Sequence, residues 1–192
     1  ITAAQAGIAL ALGIPGEGVM GLVGPGFVAG TGAMALLLAA EVVAATAVVS
    51  EAALVYVARI RNLWISLLTI GFQAIVSVGF IVLAKDLGLG ELYWAAAVAA
   101  ALMVALAASS LAKAWLLSRI LDRRINNWRW ALIWAAIPAG LVGWIATQLP
   151  EWMELLFGIP AILLAYGWVI WRKGFGPEDR VLFRRKIDHQ AG

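Results

Sequence analysis

The stretch NLWISLLTIGFQAIVS, residues 62–77, begins with Asn62 and continues into an apolar run that extends from Leu63 to Ala84. A transmembrane helix needs about 20 mostly apolar residues to cross the hydrocarbon core of a bilayer. This run therefore predicts a membrane-spanning helix. Similar runs recur along the chain, so the stretch decides the fold class, which we predict to be an all-α, polytopic transmembrane helix bundle.

The composition of the whole chain agrees with this class. Of the 192 residues, 64% are hydrophobic and 13% are charged, and the mean hydropathy is +0.94. Soluble domains average about 45–50% apolar and about 25% charged residues. The chain has no cysteine, which excludes disulfides and thiolate metal sites. The net charge of +3 is better explained by asymmetric loops than by nucleic-acid binding, so we expect no nucleic-acid partner.

The apolar runs predict five complete spans after a truncated one. The first run, residues 1–14, is too short to cross a bilayer and ends at Pro15. Because the chain begins with Ile1 rather than Met, we expect further hydrophobic segments upstream. The predicted bundle, residues 15–171, contains spans at about 28–58, 63–84, 92–117, 130–148 and 152–171. Residues 172–192 form a basic tail.

Lysine and arginine cluster in alternate loops. The loops after the second, fourth and sixth runs are basic, whereas the intervening loops carry no excess of positive charge. Since basic loops remain in the cytoplasm, the pattern predicts a cytoplasmic C-terminus and tail. The basic residues of these loops are Arg59, Arg61, Arg119, Arg123, Arg124, Arg129, Arg172, Lys173, Arg180, Arg184, Arg185 and Lys186.

The sequence contains no recognisable catalytic or metal-binding motif. It has no His cluster, no GxSxG and no pair of carboxylates with a partner base, and its single His189 lies in the tail. The glycine-rich string GLVGPGFVAG, residues 21–30, lacks the Lys–Ser/Thr of a phosphate loop. We therefore expect no enzymatic activity, no catalytic residues, no metal and no cofactor.

A polar stripe begins at Asn62 and runs along the predicted span at 63–84, at spacings of four, three, four and four residues. At about 100° per residue, its members fall within roughly 80° of one helix face. Such a stripe either bonds to neighbouring helices or lines a hydrated cavity, and its length favours the cavity. The predicted cavity-lining residues are Asn62, Ser66, Thr69, Gln73 and Ser77.

Three charged residues are predicted to be intramembrane: Glu41, Glu51 and Lys113. Glu41 is near the middle of the predicted span at 28–58, where an ionised carboxylate costs about 2.5–3.5 kcal/mol. It is either a coupling or proton-binding carboxylate or a protonated group that bonds between helices. Glu51 and Lys113 lie roughly 10 Å from the cytoplasmic edge of their spans. They either pair across two helices or Lys113 extends alone to the interface.

Four strings carry a resemblance to a known family. GLVGPGF precedes one apolar helix, YVARIRNLWISL opens the next, KDLGLG forms a turn before an alanine-rich span, and GPEDRVLFRRK lies in the tail. In this order they resemble the C-terminal part of bacterial polysaccharide biosynthesis flippases. These are lipopolysaccharide or O-antigen exporters of the multidrug/oligosaccharidyl-lipid/polysaccharide superfamily, and the likeness extends over nearly the whole chain.

The resemblance implies a multi-pass transporter of the bacterial inner membrane. Its substrate would be a lipid-linked oligosaccharide, moved to the outer leaflet by alternating access. Its partners would be the lipid bilayer and an N-terminal helical half of the same chain. Two alternatives remain open. One is a cation-coupled small-molecule exporter of the same superfamily, in which Glu41 binds the ion, and the other is a non-transporting membrane subunit.

Overall fold

The computed structural model describes residues 1–123 and 130–174, and all regular structure in that part of the chain is helical. Residues 124–129 of the predicted basic loop and residues 175–192 of the predicted tail lie outside the described residues. The all-α prediction is confirmed for the described part. The helices are α1 (Thr2–Gly13), α2 (Gly16–Val23), α3 (Thr31–Val57), α4 (Arg59–Asp86), α5 (Glu91–Leu121), α6 (Trp130–Ala146) and α7 (Glu151–Gly174).

Four described helices are long and apolar enough to cross a membrane: α3 with the preceding 3₁₀ turn Pro25–Gly30, α4, α5 and α7. Helices α1 and α2 are bent by 75° and pass the same test only as a pair. Helix α6 is apolar but has only 17 residues. By length and composition the helices support four crossings, or five if the bent pair counts as one.

Local chemistry explains where the helices break. Helix α1 ends next to Pro15, which has no backbone N–H to continue a helix. Between α3 and α4, Ala58 adopts φ −151° and ψ 47°, which interrupts an otherwise continuous helical path. After α4, Gly88 has φ +70°, a left-handed conformation that glycine adopts without strain. The next amide, of Leu89, donates to the carbonyl of Ala84 at 2.9 Å and closes the turn.

The helices form two groups. In the first, α5 packs along both α3 and α4, and in the second, α1, α6 and α7 pack on one another. Helix α1 also packs along α3 and so joins the groups. Its Thr2 hydroxyl donates to the carbonyl of Ala45 at 3.1 Å, and its Gly13 lies against Ala35, so α1 and α3 are antiparallel.

The bundle has small residues inside and large apolar residues outside. Ala101, Ala105 and Ala135 are completely buried, whereas Leu68 and Ile75 of α4 are 68% and 73% exposed. Alanine contacts let helix backbones approach closely, as in membrane bundles. Soluble proteins rarely leave such extensive apolar surface open to water. The described helices are therefore consistent with a multi-pass membrane protein.

The described parts of the loops that are basic in the sequence lie together at one end of the folded bundle. Tyr166, near the end of α7, donates to the carbonyl of Ala3 at the start of α1 at 2.8 Å. The ammonium of Lys173 lies 4.8 Å from the ring centroid of Trp134, near the start of α6. Leu54, near the end of α3, packs against Leu116 and Leu117, near the end of α5. Together these contacts place the α3–α4 turn, the end of α5, the start of α6 and the end of α7 at one end of the bundle. We call this the basic end, and its described basic residues are Arg59, Arg61, Arg119, Arg123, Arg172 and Lys173.

Candidate functional site

A crevice lies between α1, α3 and α6, with Met103 contributed by α5. Its volume is about 470 Å³. The crevice forms because the three helices meet across side chains too small to fill the space between them. The small lining residues are Ala6, Ala9, Gly13, Ala35, Ala39 and Ala136, and the larger ones are Leu10, Ile14, Val42, Val43, Met103, Leu132 and Ile133.

The wall of the crevice offers hydrocarbon almost exclusively. Among the described lining residues, only Thr46 has a polar side chain. Its hydroxyl donates to the carbonyl of Val43 at 2.6 Å and therefore accepts from the Ser110 hydroxyl at 2.7 Å. Both hydroxyls are thus engaged within the bundle. Such a surface can bind an alkyl or isoprenoid chain through dispersion and exclusion of water, but it has little to offer a sugar or a phosphate.

The polar stripe lies on the packed face of α4. Helix α4 packs mainly against α5 and contributes no residue to the crevice. The Thr69 hydroxyl donates to the carbonyl of Ile65 at 2.8 Å, so its hydrogen bond is made within its own helix. This geometry favours helix packing, and the cavity-lining role stays a prediction. Of the five stripe residues, one is buried and four are half-buried: Asn62, and then Ser66, Thr69, Gln73 and Ser77.

Asn62 differs from the rest of the stripe. Its side chain is 7% exposed, and its Oδ1 has no hydrogen-bond partner among the described residues. It lies in the first turns of α4, close to the basic end. A buried acceptor without a donor costs about 1–3 kcal/mol, so Asn62 is the least satisfied member of the stripe.

Glu51 and Lys113, the two intramembrane charged residues closest to the basic end, form an ion pair. The Nζ atom of Lys113 on α5 lies 3.1 Å from Oε1 of Glu51 on α3. In the structure Lys113 is therefore paired with Glu51 and does not extend alone to the interface. The pair joins the two helices next to the Thr46–Ser110 hydrogen bond, so α3 and α5 are linked by polar contacts along one side.

Glu41 has a different environment. It is exposed on α3, on a side of the helix that faces neither α1 nor α5. Neither the stripe nor the crevice includes it. The sequence-predicted polar residues therefore do not converge on one site: the stripe faces α5, the Glu51–Lys113 pair lies between α3 and α5, and Glu41 points away from the described bundle.

Sequence reasoning missed the crevice because it treated residues 1–14 as a truncated stub. The signal present in the sequence was the run of alanines and glycines in ITAAQAGIALALG, which lets α1 lie close to α3 and α6. The structure also buries Glu154, near the start of the predicted span 152–171, beside Gly18 of α2. Across residues 1–123 and 130–174, no group of three or more His, Cys, Asp or Glu could hold a metal ion.

Comparison with known proteins gives no match: no protein-family model, no curated protein and no solved structure is significantly similar to this chain.

Proposed function

We propose that this chain is part of a membrane transporter that moves lipid-linked oligosaccharide across the bacterial inner membrane for surface polysaccharide biosynthesis. The observation that carries the proposal is the apolar crevice between α1, α3 and α6. Its volume falls in the range of about 300–1,000 Å³ that ligand sites commonly have. Its wall suits the hydrocarbon chain of such a substrate, and the sequence resemblance supports the same activity.

The separation of charge supports an orientation. We place the basic end in the cytoplasm, because cytoplasmic loops are enriched in Lys and Arg. The C-terminal tail would then be cytoplasmic. The short helix α6 counts as a span in this arrangement, because about 17 residues are enough for the thinnest crossings and α6 runs from the basic end to the opposite end. In the same arrangement the bent α1–α2 pair enters the membrane from the basic end.

Arginines at the basic end are suited to the phosphates that link lipid and sugar. Ala58 and Ile120 pack against the same small cluster, which brings the neighbouring Arg59 and Arg119 to one corner of the bundle. Both arginines are exposed, and the Arg119 guanidinium lies 4.4 Å from the centroid of the Trp115 ring. Guanidinium groups bind phosphate oxygens through paired hydrogen bonds. A substrate could therefore place its phosphates at this corner before its head group crosses.

The test is photocrosslinking with a defined probe. The full natural chain is reconstituted in liposomes with a polyprenyl phosphate that carries a photoreactive group near the end of its hydrocarbon chain. We expect crosslinks to α1, α3 or α6. Ala39→Phe, which fills the crevice, should abolish both crosslinking and translocation of a fluorescent lipid-linked sugar, while the melting temperature stays near that of the parent.

The matched control is Ala74→Phe on the exposed face of α4, which adds the same bulk outside the crevice. It should leave both signals unchanged. Crosslinks that map to α4 as often as to the crevice helices, or equal loss in the two variants, would show that the crevice only contacts bulk lipid.

A non-transporting membrane subunit is the second candidate, and the α4–α5 interface supports it. The polar stripe lies on the face of α4 that packs against α5, as expected for a subunit that acts through helix contacts. The same experiment separates the candidates. A subunit without transport activity would show no translocation with any substrate, and Ala39→Phe would alter only its stability.

A further inference from the structure

Glu41 lies near the middle of a long apolar helix and is exposed. Helix α3 has 27 residues, and Glu41 is about 5 Å along the axis from its midpoint, at 1.5 Å per residue. The sequence ALLLAA precedes it and VVAATAVV follows it. A carboxylate at this depth cannot reach the membrane surface, because its side chain is far shorter than half of the hydrocarbon core.

Several exposed residues lie on the same side of α3 as Glu41, and together with it they form what we call the Glu41 face. Its members recur at helical spacing and fall within roughly 60° of each other. The neighbouring sides of α3 are covered by α1 and α5. All members of the face are exposed, and they are Leu37, Glu41, Val48, Ala52 and Val55.

Within the described residues, Glu41 has no cationic neighbour. Lys113 is already paired with Glu51 at 3.1 Å. That pair lies ten residues further along α3, which is about 15 Å along the helix axis. The described arginines are near helix ends. An unpaired carboxylate against lipid is unfavourable, so the Glu41 face is poorly suited to contact hydrocarbon.

We propose that the Glu41 face binds a transmembrane helix that presents a lysine or arginine to Glu41 at mid-membrane depth. Charge complementarity selects this partner, because a cation offsets the cost of the carboxylate and a purely apolar helix does not. On the same face the small Ala52 allows a second helix to approach closely, and Leu37, Val48 and Val55 supply apolar contact on either side of Glu41. This inference does not depend on the transported substrate.

The absence of cysteine from the chain makes a disulfide test direct. The probe is a synthetic transmembrane peptide of leucine and alanine with one central lysine and a cysteine two turns to either side of it. It is reconstituted in liposomes with the full chain carrying Val48→Cys, which is two turns from Glu41 on the same face. We expect the lysine peptide to crosslink at least about tenfold more than a peptide with a central leucine, as a difference of about 1.4 kcal/mol would give.

Two further variants decide the result. Glu41→Leu should remove the preference for lysine, and Glu41→Gln, which keeps the shape and polarity of the side chain, should reduce it. Ile75→Cys on the exposed face of α4 is the matched control and should show no preference. Equal crosslinking of the two peptides to Val48→Cys would overturn the proposal. Disulfides between two copies of the Val48→Cys chain alone would overturn it in favour of self-association.

Discussion

Lys113 on α5 holds Glu51 on α3 at 3.1 Å, and the two side chains differ sharply in exposure, at 7% for the lysine and 46% for the glutamate. The buried member of the pair is therefore the cation. Removing the carboxylate leaves a buried ammonium without its partner. Removing the ammonium leaves a half-exposed carboxylate only about 10 Å from the basic end of α3, where, unlike Glu41, it can reach interfacial water. The two single substitutions should not be equivalent.

Glu51→Gln should destabilise the protein more than Lys113→Met does. An isolated buried charge is costly, while methionine can fill the buried space without one. The double variant should resemble Lys113→Met, with a coupling energy in the range of about 0.5–3 kcal/mol seen for residues in contact. Thermal or denaturant unfolding in detergent measures all four proteins. Additive effects would mean that the ion pair contributes nothing to stability.

Gly158→Ala should separate α7 from α6. A Cβ at position 158 would lie 2.8 Å from the Cβ of Ala146, which cannot rotate away. Overpacking of this kind costs about 1–3 kcal/mol. A Cβ at position 167 of the same helix would meet nothing within 4 Å, so Gly167→Ala should be neutral or stabilising by up to about 1 kcal/mol. Equal melting temperatures for the two variants would contradict the close α6–α7 contact.

Ser110→Ala should weaken the junction between α3 and α5 by a small amount. The Ser110 hydroxyl donates to Thr46 at 2.7 Å, and interhelical bonds of this kind average about 0.6 kcal/mol. Ser109→Ala on the same helix, where no such bond is observed in the described residues, serves as the comparison. Unfolding in matched detergent conditions measures the difference, and a loss for Ser109→Ala as large as that for Ser110→Ala would argue against the bond.

Reactivity of a cysteine at position 73 distinguishes the two interpretations of the stripe. A packed stripe keeps Gln73→Cys away from a water-soluble thiol reagent, whereas a water-filled route exposes it. Because α4 packs this face against α5, we expect slow reaction, similar to that of Ile75→Cys. Gly90→Cys in the exposed α4–α5 turn is the positive control. Reaction of Gln73→Cys as fast as that control would restore the cavity-lining role.

Single cysteines can also test the orientation. Arg61→Cys lies at the basic end and Asp86→Cys at the other end of α4. With the basic end in the cytoplasm, an impermeant thiol reagent added to intact cells should label Asp86→Cys, and label Arg61→Cys only after the membrane is opened. The reverse pattern would invert the proposed topology without changing the bundle.

The amino-acid sequence by itself determined the helical class, the breaks between helices and the alternation of charge. These properties are local: a long apolar run can satisfy its backbone in lipid only as a helix, Pro15 and Gly88 end helices through their own geometry, and basic loops are visible residue by residue. The predicted runs at 63–84 and 92–117 accordingly fall within α4 and α5.

Only the tertiary structure decided which face of each helix is covered. A helix such as α3 is apolar nearly all round, so hydrophobic periodicity does not select a buried side, and in lipid the choice depends on how small residues fit between neighbouring backbones. That fit turned the Gln73 side of α4 toward α5, left Glu41 exposed and opened a crevice where α1 meets α3 and α6. None of these outcomes is encoded in a single helix, because each depends on contacts between residues far apart in the chain.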